Sequence, residues 1–337
     1  MNDQNDSKQF LIYGATGYSG RLIVEAAVKA GLRPVVAGRD STKVAALSEK
    51  FGLESSVFSV DDRTALQEQV RKAGCVVNAA GPFFATAEPI IDMCISESAH
   101  YIDITGELSV FAYAGEKSED AIAADVMLMP GAGWDVVPTD CLALHTARRA
   151  QNPLQLRLGA YHVNSVPSRG SLRSGQLIRD FTVVRRDGEL VKVDDPTAMH
   201  DFRFHGETIS CHLIGLADVV TAWQSTGVPN IEVYMGREEA GFTLPEGGID
   251  AMAEGPTEEE LAKVQSMAVA EITDASGKVY TSMIETHTGG YTYTALAIVD
   301  IARRILDGSY TVGFQAPASA YGASLATDIG ATITDLS

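Results

Sequence analysis

Residues 9–13 (QFLIY) form a short apolar run that ends at a glycine cluster. Behind the cluster, Leu22, Ile23, Ala26, Ala27 and Ala30 recur at helical spacing until Gly31 stops the pattern. Pro34 opens a second apolar run, Val35-Val36-Ala37, closed by Gly38-Arg39. The order then repeats: helix 41–51, strand 56–60, helix 62–72, strand 75–79, helix 86–98, strand 99–102, helix 108–124 and strand 126–129. Six strands separated by helical segments predict a parallel sheet covered on both faces. The strands are continuous apolar runs rather than alternating ones, as burial on both sides requires.

From about residue 150 the pattern changes, and Ala150-Gln151-Asn152-Pro153 is the nearest thing to a boundary. A strand at 154–163 and an amphipathic helix at 175–184 are followed by strand-like stretches at 189–193, 203–214, 218–223 and 231–236. No intervening segment is long enough for parallel crossovers, so a mostly antiparallel sheet is expected. Pro256-Thr257 followed by three glutamates opens a helix to about 274, acids in a first turn suiting the helix dipole. A strand at 278–287 and a helix at 291–306, ended by Gly308, come next. The fold class expected is α/β, with a doubly wound parallel sheet and a second α/β domain containing a mostly antiparallel sheet.

Composition narrows the function. The chain has 337 residues, a length that suggests about two domains. Lys plus Arg number 26 against 44 acids, a formal charge of −18 that disfavours phosphate backbones and anionic lipid, so no nucleic-acid partner is expected. The four cysteines are scattered without a CxxC pair, which fits a reducing compartment and gives no support to a disulfide scaffold or a cysteine zinc site. The polar opening MNDQNDSKQ lacks the order of a signal peptide, and no apolar run approaches the roughly 20 residues of a membrane span. A cytoplasmic location without membrane insertion is the expectation. Seven histidines show no ligand spacing, so no metal is expected.

The candidate chemistry begins at Gly14-Ala15-Thr16-Gly17-Tyr18-Ser19-Gly20, directly between the first strand and its helix. A phosphate reaches main-chain N–H groups closely only where side chains are absent, and a helix start adds unpaired donors and a positive dipole end. The spacing is GxxGxxG, a variant of the Rossmann dinucleotide fingerprint, and its place on the first βα turn is the context that supports it. The second strand ends in Gly38-Arg39-Asp40. Arg39 offers a planar fork to a 2′-phosphate and favours NADP over NAD, while Asp40 leaves the ribose-binding alternative open. The fourth strand runs into Asn78-Ala79-Ala80-Gly81-Pro82, whose small residues would let a dinucleotide lie against the backbone where the strand order reverses.

At these residues the chain resembles the saccharopine dehydrogenase-like oxidoreductases, and within them the branch described as trans-acting enoyl reductases. The resemblance is carried by GATGYSGRL (14–22), VAGR (36–39), VVNAAGPF (76–83), HYIDITGE (100–107), PGAGWDVVPTD (130–140) and GGYTYTA (289–295). It implies a discontinuous NADP-binding Rossmann domain, 8–131 plus about 288–337, with a substrate and dimerisation domain at about 132–287 and a homodimer. It also implies that Tyr101, Asp103, Thr105, Glu107, Gly133, Trp134, Asp135 and Pro138 flank nicotinamide and substrate. Tyr101, Asp103 and Asp135 are then the candidate acid–base residues, and Thr105, Glu107 and Trp134 candidate substrate residues. The implied activity is NADPH-dependent hydride transfer to a polarised C=C (enoyl) or C=N bond of a small-molecule or acyl-thioester substrate. A non-catalytic NADP-binding sensor is the alternative.

Other features compete. Tyr113 and Lys117 read as the YxxxK pair of short-chain dehydrogenases, although they fall early for that fold. Cys141 stands where a nucleophile would be wanted for acyl-phosphate reduction but opens an apolar helix and reads as core. Arg169, Arg173, Arg179, Arg185 and Arg186 crowd one stretch of an acidic chain, and Arg169 and Arg173 near a helix start suit an anionic substrate group. A solvated or dimer-facing helix is the alternative there. Tyr161, His162 and Tyr291 are further candidates for the substrate cleft.

Overall fold

The computed structural model describes residues 9–178, 182–193, 197–238 and 242–337. Strands β1 (Gln9–Tyr13), β2 (Val35–Gly38), β3 (Ser55–Val57), β4 (Ala73–Asn78), β5 (His100–Asp103) and β6 (Met127–Met129) come first in the chain. Between them run α1 (Tyr18–Lys29), α2 (Ser41–Phe51), α3 (Arg63–Val70), α4 (Ala87–Ser96), α5 (Leu108–Glu116) and α6 (Ser118–Ala123). The chain continues with α7 (Val137–Ala147), β7 (Pro153–Val163), α8 (Arg169–Ile178), β8 (Thr182–Arg186), β9 (Glu189–Val193), β10 (Met199–Phe204), β11 (Glu207–Leu213), α9 (Asp218–Thr226) and β12 (Asn230–Gly236). It ends with α10 (Glu258–Leu261), β13 (Gln265–Asp274), β14 (Val279–Thr286), α11 (Gly290–Leu306), β15 (Gly313–Phe314), α12 (Pro317–Tyr321), α13 (Leu325–Asp328) and β16 (Ala331–Asp335).

The first sheet has the order β15-β6-β5-β4-β1-β2-β3, with every pairing parallel. The six expected strands all form, and β15 adds a seventh beside β6. Strand order reverses between β1 and β4, so the loops after these two strands border the crevice where a doubly wound sheet takes its ligand. β4 is buried along its whole length, which is why it reads as an unbroken apolar run. The helix expected over 108–124 breaks at Lys117 into α5 and α6.

The second sheet runs β10-β11-β12-β7-β13-β14-β16, with β8 pairing β12 and β9. Among the described residues, every pairing except the parallel β12·β7 is antiparallel. Four local expectations change here. The helix expected over 258–274 is one turn, Glu258–Leu261, started by the Thr257/Glu260 capping box. Residues Gln265–Asp274 are instead the central strand β13: Ala268, Ala270 and Glu271 suit a helix, but the segment takes its strand identity from β7 and β14. The stretch 218–223 is helical despite its valines, and α9 stops at Gly227, which takes a left-handed φ of 70°. The segment 203–214 is a hairpin, turned at His205 (φ 47°) and Gly206 (φ 88°). Finally, the helix expected at 175–184 lies earlier, at Arg169–Ile178, and Thr182–Arg186 is strand β8; part of the expected span, 179–181, lies outside the described residues.

Chain contacts divide the molecule into two compact units. The first takes the chain through Thr105, Ala112–Ala132 and Thr294–Gln315; the second takes Gly106–Phe111, Gly133–Tyr293 and Ala316–Ser337. Residues Ala316–Ser337 group with the second unit because β16 joins β14 along its full length.

In the second unit the β10–β11 hairpin folds back over the sheet. Phe202 of β10 lies over Gly159 of β7, where a Cβ would meet the ring at 2.5 Å. His200 of β10 reaches Glu271 of β13 at 2.9 Å. The core beneath is formed by residues such as Phe202, Phe204, Leu213, Tyr234, Val269 and Met283. A side chain at 159 must therefore push the hairpin off. Gly159→Ala is expected to cost about 1–3 kcal/mol, read as a lower urea midpoint with unchanged m; an unchanged midpoint would show that the hairpin does not rest on β7.

Candidate functional site

In the first unit the β1–α1 turn is built by the absence of side chains. Gly14 takes φ 82°, and its amide donates to Ala37 O at 2.9 Å, locking the turn to β2. A Cβ on Gly14 would lie 2.7 Å from Ala80 N, so the turn sits directly against the loop after β4. A Cβ on Gly20 would lie 2.2 Å from Gly14 O, so α1 starts tight against the turn. Gly17 is the helix N-cap, has no side chain to cap with, and is exposed. Tyr18 and Ser19 follow in the first turn of α1, and Arg21 Nη1 braces the loop by donating to Thr16 O at 2.8 Å. These are the features a pyrophosphate requires: closely approachable amides at a helix N-terminus.

The end of the second strand lies next to this turn. A Cβ on Gly38 would lie 3.7 Å from Thr16 Oγ1, which puts the end of β2 beside the glycine turn. Arg39 is exposed there. Asp40 is the N-cap of α2, its carboxylate accepting from Lys43 N at 3.0 Å. The carboxylate that kept the ribose alternative open is thus engaged in holding a helix start, a role worth about 1 kcal/mol.

The β4 loop is held by a buried polar chain. Asn78, fully buried, accepts from Ala80 N at 3.1 Å and donates to Thr86 Oγ1 at 3.0 Å and to Tyr101 OH at 3.2 Å. Thr86 in turn donates to Ala80 O at 2.7 Å. Tyr101 OH donates to Asp103 Oδ2 at 2.7 Å, and Asp103 Oδ1 accepts from Thr105 N at 2.9 Å and Gly131 N at 2.8 Å. Burial, with the Asp103 carboxylate beside it, pushes the Tyr101 phenol well above its ordinary range. Tyr101, Asp103 and Thr105 are thus brought together, but as a fully buried network joining the ends of β4, β5 and β6. Gly81 and Pro82, joined by a cis peptide, are exposed next to it. Thr86 and Arg21 are structural partners of this site that no local motif announced. At the opposite ends of the strands a cavity of about 470 Å³ is lined by residues including Gln9, Gly74 and His100, away from the glycine turn.

The second unit holds the remaining candidates. Trp134 is buried, its Nε1 donating to Thr286 Oγ1 at 3.1 Å, with its ring 4.2 Å from that of His162. Glu107 is buried and accepts from Ser174 Oγ at 3.3 Å. Tyr291 OH accepts from Ser168 N at 2.7 Å and lies 2.8 Å from Ser171 Oγ, joining the start of α11 to that of α8. Asp135 keeps an accessible surface but is recessed among protein atoms, and desolvation raises its carboxyl above the ordinary value.

The arginine cluster divides into separate ion pairs. Arg173 bonds Asp250 at 2.6 Å, and Arg169 lies 3.6 Å from Glu254. Arg186 pairs with Glu232, which Arg157 also reaches at 2.9 Å. Arg185 is buried under Trp223, donating to Val219 O and Gly188 O. Arg179 lies outside the described residues. The YxxxK pair, in the first unit, is tied by Asp92. It accepts from Tyr113 OH at 2.8 Å and meets Lys117 at 3.1 Å, and the phenol is pushed up to about 12, burial acting first. That is opposite to the shift a proton-exchanging phenol needs. Cys141 is fully buried.

These features define a doubly wound dinucleotide-binding unit joined to a second unit built on a mixed sheet. Residues 10–129, most of them in the first unit, match the saccharopine dehydrogenase NADP binding domain. A lipid droplet localized protein of Caenorhabditis elegans is 31% identical over 144 residues, 39% of this chain and 34% of that protein. The saccharopine dehydrogenase-like oxidoreductase of Homo sapiens is 25% identical over 185 residues, 49% of this chain and 43% of its own. A trans-acting enoyl reductase of Mycobacterium ulcerans is 28% identical over 159 residues, 44% and 38% of the two chains. These matches therefore cover less than half of each relative. Saccharopine dehydrogenase (L-Glu forming) of Saccharomyces cerevisiae shares the fold, with a TM-score of 0.65 at 14% identity over 98% of this chain and 100% of that one. Among the described residues no helix is long and apolar enough to cross a membrane, and no group of side chains is placed to hold a metal ion.

Sequence reasoning missed a carboxyl pair in the second unit. Asp140 of α7, fully buried, accepts from Ser225 Oγ at 2.9 Å and Ala318 N at 2.7 Å, and its Oδ1 has no partner. Asp218, which begins α9, is buried with both oxygens unpartnered; the nearby Thr139 hydroxyl donates to Asp135 O and Val136 O instead. Desolvation raises Asp140 to about 8 and Asp218 to about 7. Carboxyls held above their unfolded values near 4 stabilise the fold below that pH, and the contribution is lost as pH rises through 7–8. Burial lowers His162 to about 4, which acts in the other direction but is complete by about pH 6.5. Stability is therefore expected to fall between about pH 6.5 and 8.5 by on the order of 1–3 kcal/mol, a Tm decrease of several degrees. Asp140→Asn, which removes the carboxyl held highest, should flatten most of that slope; an unchanged slope in scanning calorimetry would rule Asp140 out as its main source.

Proposed function

We propose that this protein is an NADPH-dependent reductase that delivers hydride to a polarised C=C or C=N bond of a small-molecule or acyl-thioester substrate. The observation that carries the reading is the glycine-built turn at Gly14–Gly20 beside Gly38 and Arg39, in a segment that matches an NADP-binding domain. Relatives named as oxidoreductases and as an enoyl reductase support it. When bound, the coenzyme supplies the hydride. The chain's part is to hold the pyrophosphate on the first-turn amides of α1, at Tyr18, Ser19 and Gly20, while Gly14 and Gly17, whose own amides donate to Ala37 O and Gly14 O, leave room for the phosphates to approach and Arg39 takes the 2′-phosphate.

Asn78, Tyr101 and Asp103 act in this proposal as positioning residues, shaping the loops at Ala80–Pro82 and Thr105. Asp135, whose carboxyl desolvation raises above its ordinary value, is the proton donor. A cytoplasmic homodimer, with the second unit providing substrate and dimer contacts, belongs to the same proposal. One observation favours the sensor as a second reading: Tyr101 and Asp103, two of the three acid–base candidates, are fully buried and bonded to each other.

Two measurements test these readings. By isothermal titration, Arg39→Ala should weaken NADPH by roughly ten- to a hundredfold and leave NADH within about twofold; an equal loss for both would refute the 2′-phosphate contact. Wild-type protein mixed with NADPH and a panel of enoyl thioesters and imines should lose absorbance at the reduced-nicotinamide band. Silence across the panel with tight NADPH binding would select the sensor.

A further inference from the structure

His162 is the next-to-last residue of β7 and stands opposite Ser266 of β13 in the ladder. Its Nδ1 lies 2.8 Å from Ser266 Oγ. Ser266 is fully buried, and a buried hydroxyl needs an acceptor for its proton. Nδ1 is the acceptor within reach among the described residues, which leaves the imidazole proton on Nε2. Nε2 itself has no hydrogen-bond partner among the described residues, and the ring is half-buried rather than sealed.

The ring is fixed as well as polarised. Trp134 packs on it at 4.2 Å, and Trp134 is in turn held by Thr286. Gly290 borders both rings without a side chain of its own: a Cβ there would lie 3.6 Å from Trp134 and 3.9 Å from His162 Cε1, in ordinary contact. Packing against apolar surface keeps the imidazole neutral through the physiological range, so it offers an N–H without a charge to neutralise. An unpartnered, oriented donor at a solvent-reached position, beside the Trp134 loop, is arranged to be satisfied by something that is not protein.

We infer that His162 is a substrate-contacting residue whose Nε2–H donates to a carbonyl oxygen of the acceptor. The inference rests on the reductase reading and narrows it: an alkene conjugated to a carbonyl presents such an oxygen, and a simple imine does not. A fixed neutral donor is worth most where negative charge gathers on that oxygen, and it needs no proton transfer to act. Ser266 is its positioning residue.

The test uses the full-length protein with NADPH and the crotonyl thioester of N-acetylcysteamine. His162→Phe keeps the ring packing and removes the donor, while His162→Asn restores an N–H. Both variants should bind NADPH within about twofold of wild type, since the cofactor turn lies in the first unit. His162→Phe should lose about 100-fold in kcat, and His162→Asn should recover part of it. Trp134 fluorescence, which the thioester should perturb in wild type, should respond only at roughly tenfold higher thioester concentration in His162→Phe.

Turnover and fluorescence response of both variants within about threefold of wild type would overturn the inference, as would a wild type that reduces imines but no carbonyl-conjugated alkene. If wild type binds NADPH yet reduces nothing in the panel, the reductase reading falls and this inference with it. Should His162→Phe fail to fold by circular dichroism, Ser266→Ala and His162→Asn decide: wild-type kinetics in both would overturn the inference.

Discussion

The constraint on which the first unit depends is steric: at two positions, Gly14 after β1 and Gly20 in the first turn of α1, the backbone must come closer than any side chain allows. A methyl group at Gly20 would meet the Gly14 carbonyl at 2.2 Å, and one at Gly14 would strike the loop after β4. Removing side chains brings α1, β1 and β4 together and bares the amides at the same time. The packing that folds the sheet and the surface that receives an anion are thus one arrangement. The buried chain from Thr86 through Asn78 and Tyr101 to Asp103 extends this logic, fixing the neighbouring loop ends with hydrogen bonds where β4, β5 and β6 stop.

What the sequence made legible follows from how local the causes are. Sheet strands buried on both faces and punctuated by glycine are local events, and β1, β2 and β4 lie where the apolar runs put them. The GxxGxxG turn and Arg39 could be read for the same reason. Gln265–Asp274 could not, because Ala268, Ala270 and Glu271 suit a helix continuing from Glu258, and the segment takes its strand identity from β7 and β14. Valines at 219 and 220 argued for a strand until packing made α9 a helix.

The site shows the same division. Five arginines look like an anion trap when counted along the chain, yet Asp250, Glu254 and Glu232, some 45–85 positions away, engage those at 173, 169 and 186. Asp140 was silent because its partner amide, Ala318 N, lies 178 residues further on. Tyr101 and Asp103 stand in a motif that names them as candidates, but their burial, which decides whether they meet a ligand, was not in the motif.

The pairing of Arg39 with Asp40 bears on how such a protein diversifies. The two positions stand side by side at the end of β2, but one is a surface cation and the other holds the start of α2. On the proposed reading, coenzyme preference is therefore written on a residue that the scaffold does not lean on. A lineage can drift at 39, exploring either dinucleotide, while purifying selection for a folded α2 continues to guard 40.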